Sequence, residues 1–299
     1  MKSGFVTIVG RPNVGKSTFI NATVGEKIAI MSNKPQTTRN TIQGIYTDND
    51  SQIIFIDTPG IHKPKHELGH IMTEMAYNSL TGVDVILFMI SAKEHIGVGD
   101  QMIIDRLKKS KVPVFLIINK IDLLKKENLV DETIIEYMNQ MNFAGIYPIS
   151  ALEKTNIDKL LTEIKNILPE GPKYYPDDQI TNNPERFIIA EIIREKILHF
   201  TMEEVPHSVA VIIESLKPSD EREDIIDCYA SIIVERPSQK KIIIGKEGAM
   251  LKKIGTAARK EINAHLGSRI HLDLWVKVKK DWRDKNVDLK NFGYTLDDF

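Results

Sequence analysis

Residues 10–17 read GRPNVGKS, a G-x-x-x-x-G-K-[ST] loop, set between an apolar β-prone run (FVTIV, 5–9) and a helical pattern that opens with TFINA at 18–22. Strand, glycine loop and helix in that order commit the chain to a βα unit, and so to a sheet with helices on its faces. The chemistry is equally constrained. Gly10 and Gly15 let the loop between them (Arg11, Pro12, Asn13, Val14) curl, so that successive N–H groups point into one concavity suited to phosphate oxygens. Lys16 reaches the β- and γ-phosphates as a point charge, the Ser17 hydroxyl ligates Mg²⁺, and Thr18 is placed for the α-phosphate.

Two later motifs address other parts of the same nucleotide. In DTPG at 57–60, Asp57 closes the apolar run at 53–56, where a carboxylate can hold a magnesium-bound water. Thr58 and Pro59 lead to Gly60, whose N–H can sense a γ-phosphate. In NKID at 119–122, Asp122 decides the base, because a carboxylate accepts from both N1–H and the exocyclic N2–H₂ of guanine, whereas adenine offers no such donor pair. Asn119 ties the base to the loops and the stem of Lys120 covers its face; Ser150, Ala151 and Leu152 fit a last base-contacting loop that uses backbone N–H groups. The series favours GTP over ATP, with Lys16 and Gly60 as candidate catalytic groups.

The rest of the pattern agrees. Apolar runs recur at 5–9, 53–56, 83–90 and 114–118, and helical periodicity at 66–80, 99–108, 129–139 and 157–167. Segments 40–46 and 52–56, joined by the turn-prone DNDS at 48–51, should pair antiparallel. The expectation is an α/β domain over 1–168, with a six-stranded, mostly parallel sheet and one antiparallel edge strand. Proline, glycine and asparagine interrupt all periodicity over 169–184, the expected linker. Beyond it, 185–299 reads helix, strand, strand, helix, helix, strand, with helices at 187–200 and 249–265 and strands at 208–214, 224–234 and 269–278.

At 299 residues, 42% hydrophobic and 27% charged, the chain suits two soluble domains. Its single cysteine, Cys228, excludes an intramolecular disulfide or a cysteine-built metal site, and the eight histidines lack metal-ligand spacing. The first strand starts too early to leave room for a signal peptide, and no run approaches the roughly 20 apolar residues of a membrane span. A cytoplasmic protein is expected, with any membrane association peripheral. The net charge of −1 hides an asymmetry: residues 236–290 hold 15 Lys and Arg against 6 Asp and Glu. That excess points to a polyanion partner.

The basic segment carries its own motif. GKEG at 245–248 separates the apolar residues 242–244 from a basic helix with Lys252, Lys253, Arg259 and Lys260. This matches the G-x-x-G loop of a type II KH domain, an α+β RNA-binding fold. Gly245 and Gly248 let the loop approach a sugar–phosphate backbone, Lys246 supplies local charge, and Ile242 and Ile244 would cradle unstacked bases. Glu247 departs from the more basic loops common in such domains. Trp275 is expected in the core; Trp282 and Arg283 could extend the RNA surface, although nothing rests on them.

Taken together these motifs resemble the translation-factor-class GTPases, and most closely the Era GTPases, over nearly the whole chain. The absence of an internal repeat separates it from tandem-GTPase relatives. The resemblance makes 36–40 (QTTRN) switch I, with Thr38 rather than Thr37 as the threonine that ligates Mg²⁺ in the GTP state. It implies a slow GTPase that binds the 3′ end of 16S ribosomal RNA in 30S maturation, without DNA, as a monomer. Ile61 stands where Ras-like enzymes have a water-orienting glutamine, so another group must serve, and the resemblance suggests a K⁺ held with the help of Asn13. Two other classes fit the same residues: an RNA-binding scaffold in which nucleotide is structural, and a GTPase of tRNA modification or the membrane whose C-terminal domain docks protein.

Overall fold

The structure is a computed structural model that describes residues 1–296 except 35, 62, 125–127, 203, 204, 221 and 223. The N-terminal domain runs β1 (Lys2–Val9), α1 (Lys16–Val24), β2 (Ile42–Thr47), β3 (Ser51–Asp57), α2 (Glu67–Asn78), β4 (Val85–Ser91), α3 (Val98–Leu107), β5 (Val114–Asn119), α4 (Asn128–Met138), β6 (Gly145–Pro148) and α5 (Ile157–Ile167). Its six strands lie in the order β2-β3-β1-β4-β5-β6. As expected, β2 is antiparallel to β3 and every other pair is parallel. Strands β4 (VILFMIS) and β5 (VFLIIN) are buried along their whole lengths, as interior strands covered on both faces must be. One layer gathers Ile8, Phe19, Leu87, Ile117 and Leu160; the other gathers Ile86, Phe88, Ile104, Leu116 and Ile118. Helix α5 shows why it forms: Ile157, Leu160, Leu161 and Ile164, spaced i, i+3, i+4 and i+7, are its buried stripe. Because β1, β3 and β5 are parallel, their carboxyl ends deliver residues 10–15, 57–61 and 119–122 to one edge, where open α/β sheets bind ligands.

The expected linker is not a free tether. Isolated bridges pair Lys2 with Glu170 and Gly44 with Thr181, and the Ile45 N–H donates to the Ile180 carbonyl at 2.8 Å. The buried side chain of Gln52 accepts from the N–H groups of Tyr174 and Tyr175 at 2.8 and 2.9 Å. Residues 169–184 are therefore a strap laid across the first domain.

The C-terminal domain comprises α6 (Glu185–Phe200), α7 (Val205–Ser208), β7 (Ala210–Pro218), β8 (Ile225–Val234), α8 (Pro237–Ile244), α9 (Ala249–Leu266), β9 (Arg269–Val278) and α10 (Asn286–Asn291). Its sheet is β7-β8-β9, antiparallel then parallel, with a register shift between Ile213 and Ser215. Ile189, Ile193, Cys228, Ile232, Ile254 and Ile262 lie in the core beneath it, and burial pushes the Cys228 thiol up to about 11. Strand β7 begins later than the sequence suggests because 205–208 coil into a helical turn. The two tryptophans exchange the expected places. Along β9, Ile270 and Val276 face inward while Trp275, of opposite parity, lies on the outer face 62% exposed. Trp282 is fully buried and packs with Leu289, Tyr294, and Leu68 and Met72 of α2, joining the two domains. Arg283 is likewise turned inward, its Nη2 2.6 Å from Glu235 Oε2.

Candidate nucleotide site and RNA-facing loop

A cleft of about 280 Å³ opens where the three loops meet, lined by the P-loop, residues 30–33 and 36–38, Gly60, Asn119, Lys120, Asp122, Leu123 and residues 151–152. The glycines follow from crowding. A Cβ on Gly10 would lie 2.3 Å from the Met89 carbonyl, and one on Gly60 would lie 2.6 Å from Pro12 N. Lys16 is buried and donates to the carbonyls of Arg11 and Gly10 at 3.2 and 3.4 Å. Burial holds its pKa below the ordinary lysine value, with the Asp57 charge opposing that shift.

Three oxygen-bearing side chains gather beside Lys16. The Ser17 hydroxyl donates to Asp57 Oδ2 at 2.7 Å and lies 3.0 Å from Thr38 Oγ1. Asp57 is fully buried; desolvation raises its pKa against the lowering effects of Lys16 and of hydrogen bonds from Ser17, Thr58 and Thr38. Its Oδ1 is buried without a hydrogen-bond partner among the described residues. An all-oxygen set with an unfilled carboxylate lone pair fits a hard divalent cation such as Mg²⁺. Of the two adjacent threonines, only Thr38 turns its hydroxyl to this cluster; Thr37 Oγ1 donates back to the Lys34 carbonyl at 2.6 Å.

The base end is organised by one buried amide. Asn119 Nδ2 donates to the Val14 carbonyl at 2.8 Å, and its Oδ1 accepts from the Ala151 N–H at 2.9 Å, so P-loop, NKID and SAL are tied at a single residue. Lys120, at φ 67°, reaches the Asn13 carbonyl. Asp122 is exposed to the cleft and accepts from Ser150 Oγ at 2.5 Å. Leu152 lies on the rim, 71% exposed. Thr58 faces away, its hydroxyl on the Ile8 carbonyl at 2.8 Å. Ile61 packs in the core with Val9 and Phe88, and its N–H donates to the Gly10 carbonyl of the P-loop at 3.2 Å. Asn13, at φ 65°, donates from Nδ2 to the Asn33 carbonyl at 3.0 Å across the cleft.

In the second domain α8 ends at Ile244 and α9 starts at Ala249. Gly245 (φ 73°) and Gly248 (φ 78°) adopt backbone that disfavours side chains, and a Cβ on Gly245 would strike Met250 at 2.7 Å. Ile242 is 48% exposed and Ile244 partly buried beside the loop, whereas Ile243 is in the core. Lys246, Lys252, Lys253, Arg259 and Lys260 are all exposed. The sequence reading missed the groups that bind one domain to the other, chiefly Arg39, Arg194 and Glu195. No local pattern marks them, since their partners lie more than 150 residues away.

Fold and site define a P-loop guanine-nucleotide domain followed by a KH domain. The sequence profile described as 50S ribosome-binding GTPase matches residues 5–120, and that of the KH domain matches residues 204–283. A crystal structure of a point variant of Era from Aquifex aeolicus, bound to GDP and AlF₄⁻, is 45% identical with TM-score 0.95, over 99% of this chain and 100% of that one. A second, of Era with MgGDPNP and nucleotides 1506–1542 of 16S ribosomal RNA, is 45% identical with TM-score 0.96, over 99% of each chain. The chain belongs to the Era family of GTPases.

Proposed function

We propose that this chain is a GTP-hydrolysing switch that binds the 3′ end of 16S ribosomal RNA through its KH domain and assists maturation of the 30S subunit. The observation that carries this reading is the convergence of Lys16, Ser17, Thr38, Asp57 and the Asp122 carboxylate on one cleft, in a chain alike over its whole length to an Era bound to MgGDPNP and that RNA. Ser17 and Thr38 would ligate Mg²⁺ directly and Asp57 through water; the ion would neutralise charge on the β- and γ-phosphates. Lys16 carries part of the same charge. Gly60 N–H and Thr38 meet the γ-phosphate and so distinguish GTP from GDP. Asn119 and Asp122 select guanine, and Ala151 and Leu152 offer backbone donors beside it.

Hydrolysis is slow because Ile61 is buried and has no polar group to orient water. A K⁺ held with the help of Asn13 would supply the positive charge that an arginine finger gives elsewhere. Turnover in KCl should then exceed turnover in NaCl at equal ionic strength. On the RNA side, Ile242, Ile244, Gly245, Lys246, Gly248, Lys252 and Lys253 form the contact face. The protein works as a monomer in the cytoplasm. No described helix is long and apolar enough to cross a membrane, and any membrane contact is peripheral. The test is sequencing of RNA crosslinked to the GTP-bound protein. Reads at the 3′ end of 16S RNA with crosslinks at 240–260 support the reading; tRNA reads, or no crosslinks there, refute it.

A further inference from the structure

Switch I passes between the nucleotide cleft and the KH domain, and successive residues are held from opposite sides. Thr38 turns its hydroxyl to Ser17. Its neighbour Arg39 points the other way and is 1% exposed. The Arg39 guanidinium donates from Nη1 to the Val209 carbonyl at 2.6 Å, and from Nη2 to the carbonyls of His207 and Pro206 at 3.0 and 3.1 Å. It lies 5.9 Å from the centroid of the Trp282 ring. Among the described residues no carboxylate lies within ion-pair distance of it; carbonyl dipoles, the Trp282 face and the neighbouring Tyr294 hydroxyl replace part of its hydration, and its Nε is buried without a hydrogen-bond partner among the described residues. Burying a charge in this way is costly, and the contact set exists only while the KH domain is docked. Arg194 on α6 braces the same segment by donating to the Thr37 carbonyl, and Glu195 Oε1 holds the chain that leads into it by accepting from the Met31 N–H at 2.8 Å.

We propose that Arg39 is a positioning residue through which the docked KH domain holds Thr38 in place for a γ-phosphate. This rests on the switch reading above. Because the backbone from 37 to 39 is shared, KH docking stabilises the Thr38 placement that GTP requires, and GTP stabilises docking by the same factor. GDP, which offers nothing to Thr38, does not engage the arrangement. The fork of the guanidinium matters, since Nη1 and Nη2 reach carbonyls spread over 206–209 from two separate nitrogens of a rigid plane, whereas the three donors of an ammonium all leave one nitrogen on a flexible stem.

The test uses the full chain with Arg39→Ala and Arg39→Lys, titrated with fluorescent GDPNP and GDP, and with an RNA of 16S nucleotides 1506–1542 in each nucleotide state. For Arg39→Ala, GDPNP affinity should fall about tenfold while GDP affinity moves less than about twofold. Any dependence of RNA affinity on nucleotide should vanish. Arg39→Lys should recover only part of the GDPNP affinity. A structural defect alone would weaken both nucleotides together, and if Arg39→Ala shows that, Arg39→Lys decides by the same split. Unchanged GDPNP-to-GDP preference in the variant that retains GDP binding overturns the proposal. Equal RNA affinities in the two states of the wild-type chain would instead overturn the switch reading, and the nucleotide split would still decide the role of Arg39.

Discussion

A methyl group at Gly15 would lie 2.2 Å from Asn119 Nδ2, on a backbone with φ +105°. The P-loop glycine is thus fixed as much by the base-binding loop as by phosphate geometry. Gly15→Ala should cost about 2 kcal/mol or more of stability and lose GDP binding, measured by thermal denaturation and nucleotide titration; wild-type affinity would contradict the packing argument. At the other end of the cleft, Asp122→Asn replaces an acceptor pair with a mixed donor and acceptor. Guanine affinity should fall by roughly two to three orders of magnitude, since a site built for specific donors is left with unpaired groups, and xanthine nucleotides, with a carbonyl at position 2, should gain. Competition titration of GDP against XDP decides this. Asn119 and Asp122 were legible because each motif residue answers a feature of the ligand. Trp275 has the residue type of a core position, but the parity of β9 sets it with Asp273 and Lys277 on the outer face. Arg39 carried no signal, because three carbonyl oxygens from 206–209 leave no mark in side-chain sequence.

Helix α6 turns two charged side chains toward the first domain, Arg194 to the Thr37 carbonyl and Glu195 to the Met31 N–H. Burial raises the Glu195 pKa, but bonds from Lys196, Lys27 and the Met31 N–H outweigh it and hold the carboxyl below its ordinary value of 4.5. A depressed carboxylate contributes stability that is complete above its unfolded pKa and lost as pH falls through the lower folded value. Interdomain stability should therefore weaken as pH drops below about 4.5, and Glu195→Gln should flatten that part of the curve. Thermal midpoints against pH for both proteins check it. In the GKEG loop, Glu247 is exposed at φ 52° between the two glycines. Glu247→Lys should strengthen RNA binding at low salt and steepen its logarithmic salt dependence by about 0.7, the contribution of one phosphate contact on a single strand. An unchanged slope would place the loop away from the RNA backbone. Long periodic elements such as α5 and α9 were readable from spacing alone, whereas α7 and α10, at one or two turns, are too short to show a period.

Across the whole molecule the two domains are joined by more than a connecting chain. The segment 169–184 is bonded to β1, β2 and the Gln52 side chain of β3, Trp282 is buried against α2, and Asp284 accepts from the N–H of Glu67 at the start of the same helix at 3.2 Å. Switch I, through Arg39, and the start of α2, through Glu67, thus both touch the KH domain directly. The order of motifs foretold two domains, but not this contact, because pairings between residues 39 and 209 or 67 and 284 are set by tertiary geometry. Nucleotide state and RNA binding should therefore be coupled through that interface. The most direct measurement of that coupling is the affinity of the wild-type chain for the 16S 3′-end RNA with a non-hydrolysable GTP analogue and with GDP. Binding should be several-fold tighter with the analogue; equal affinities in the two states would rule the coupling out.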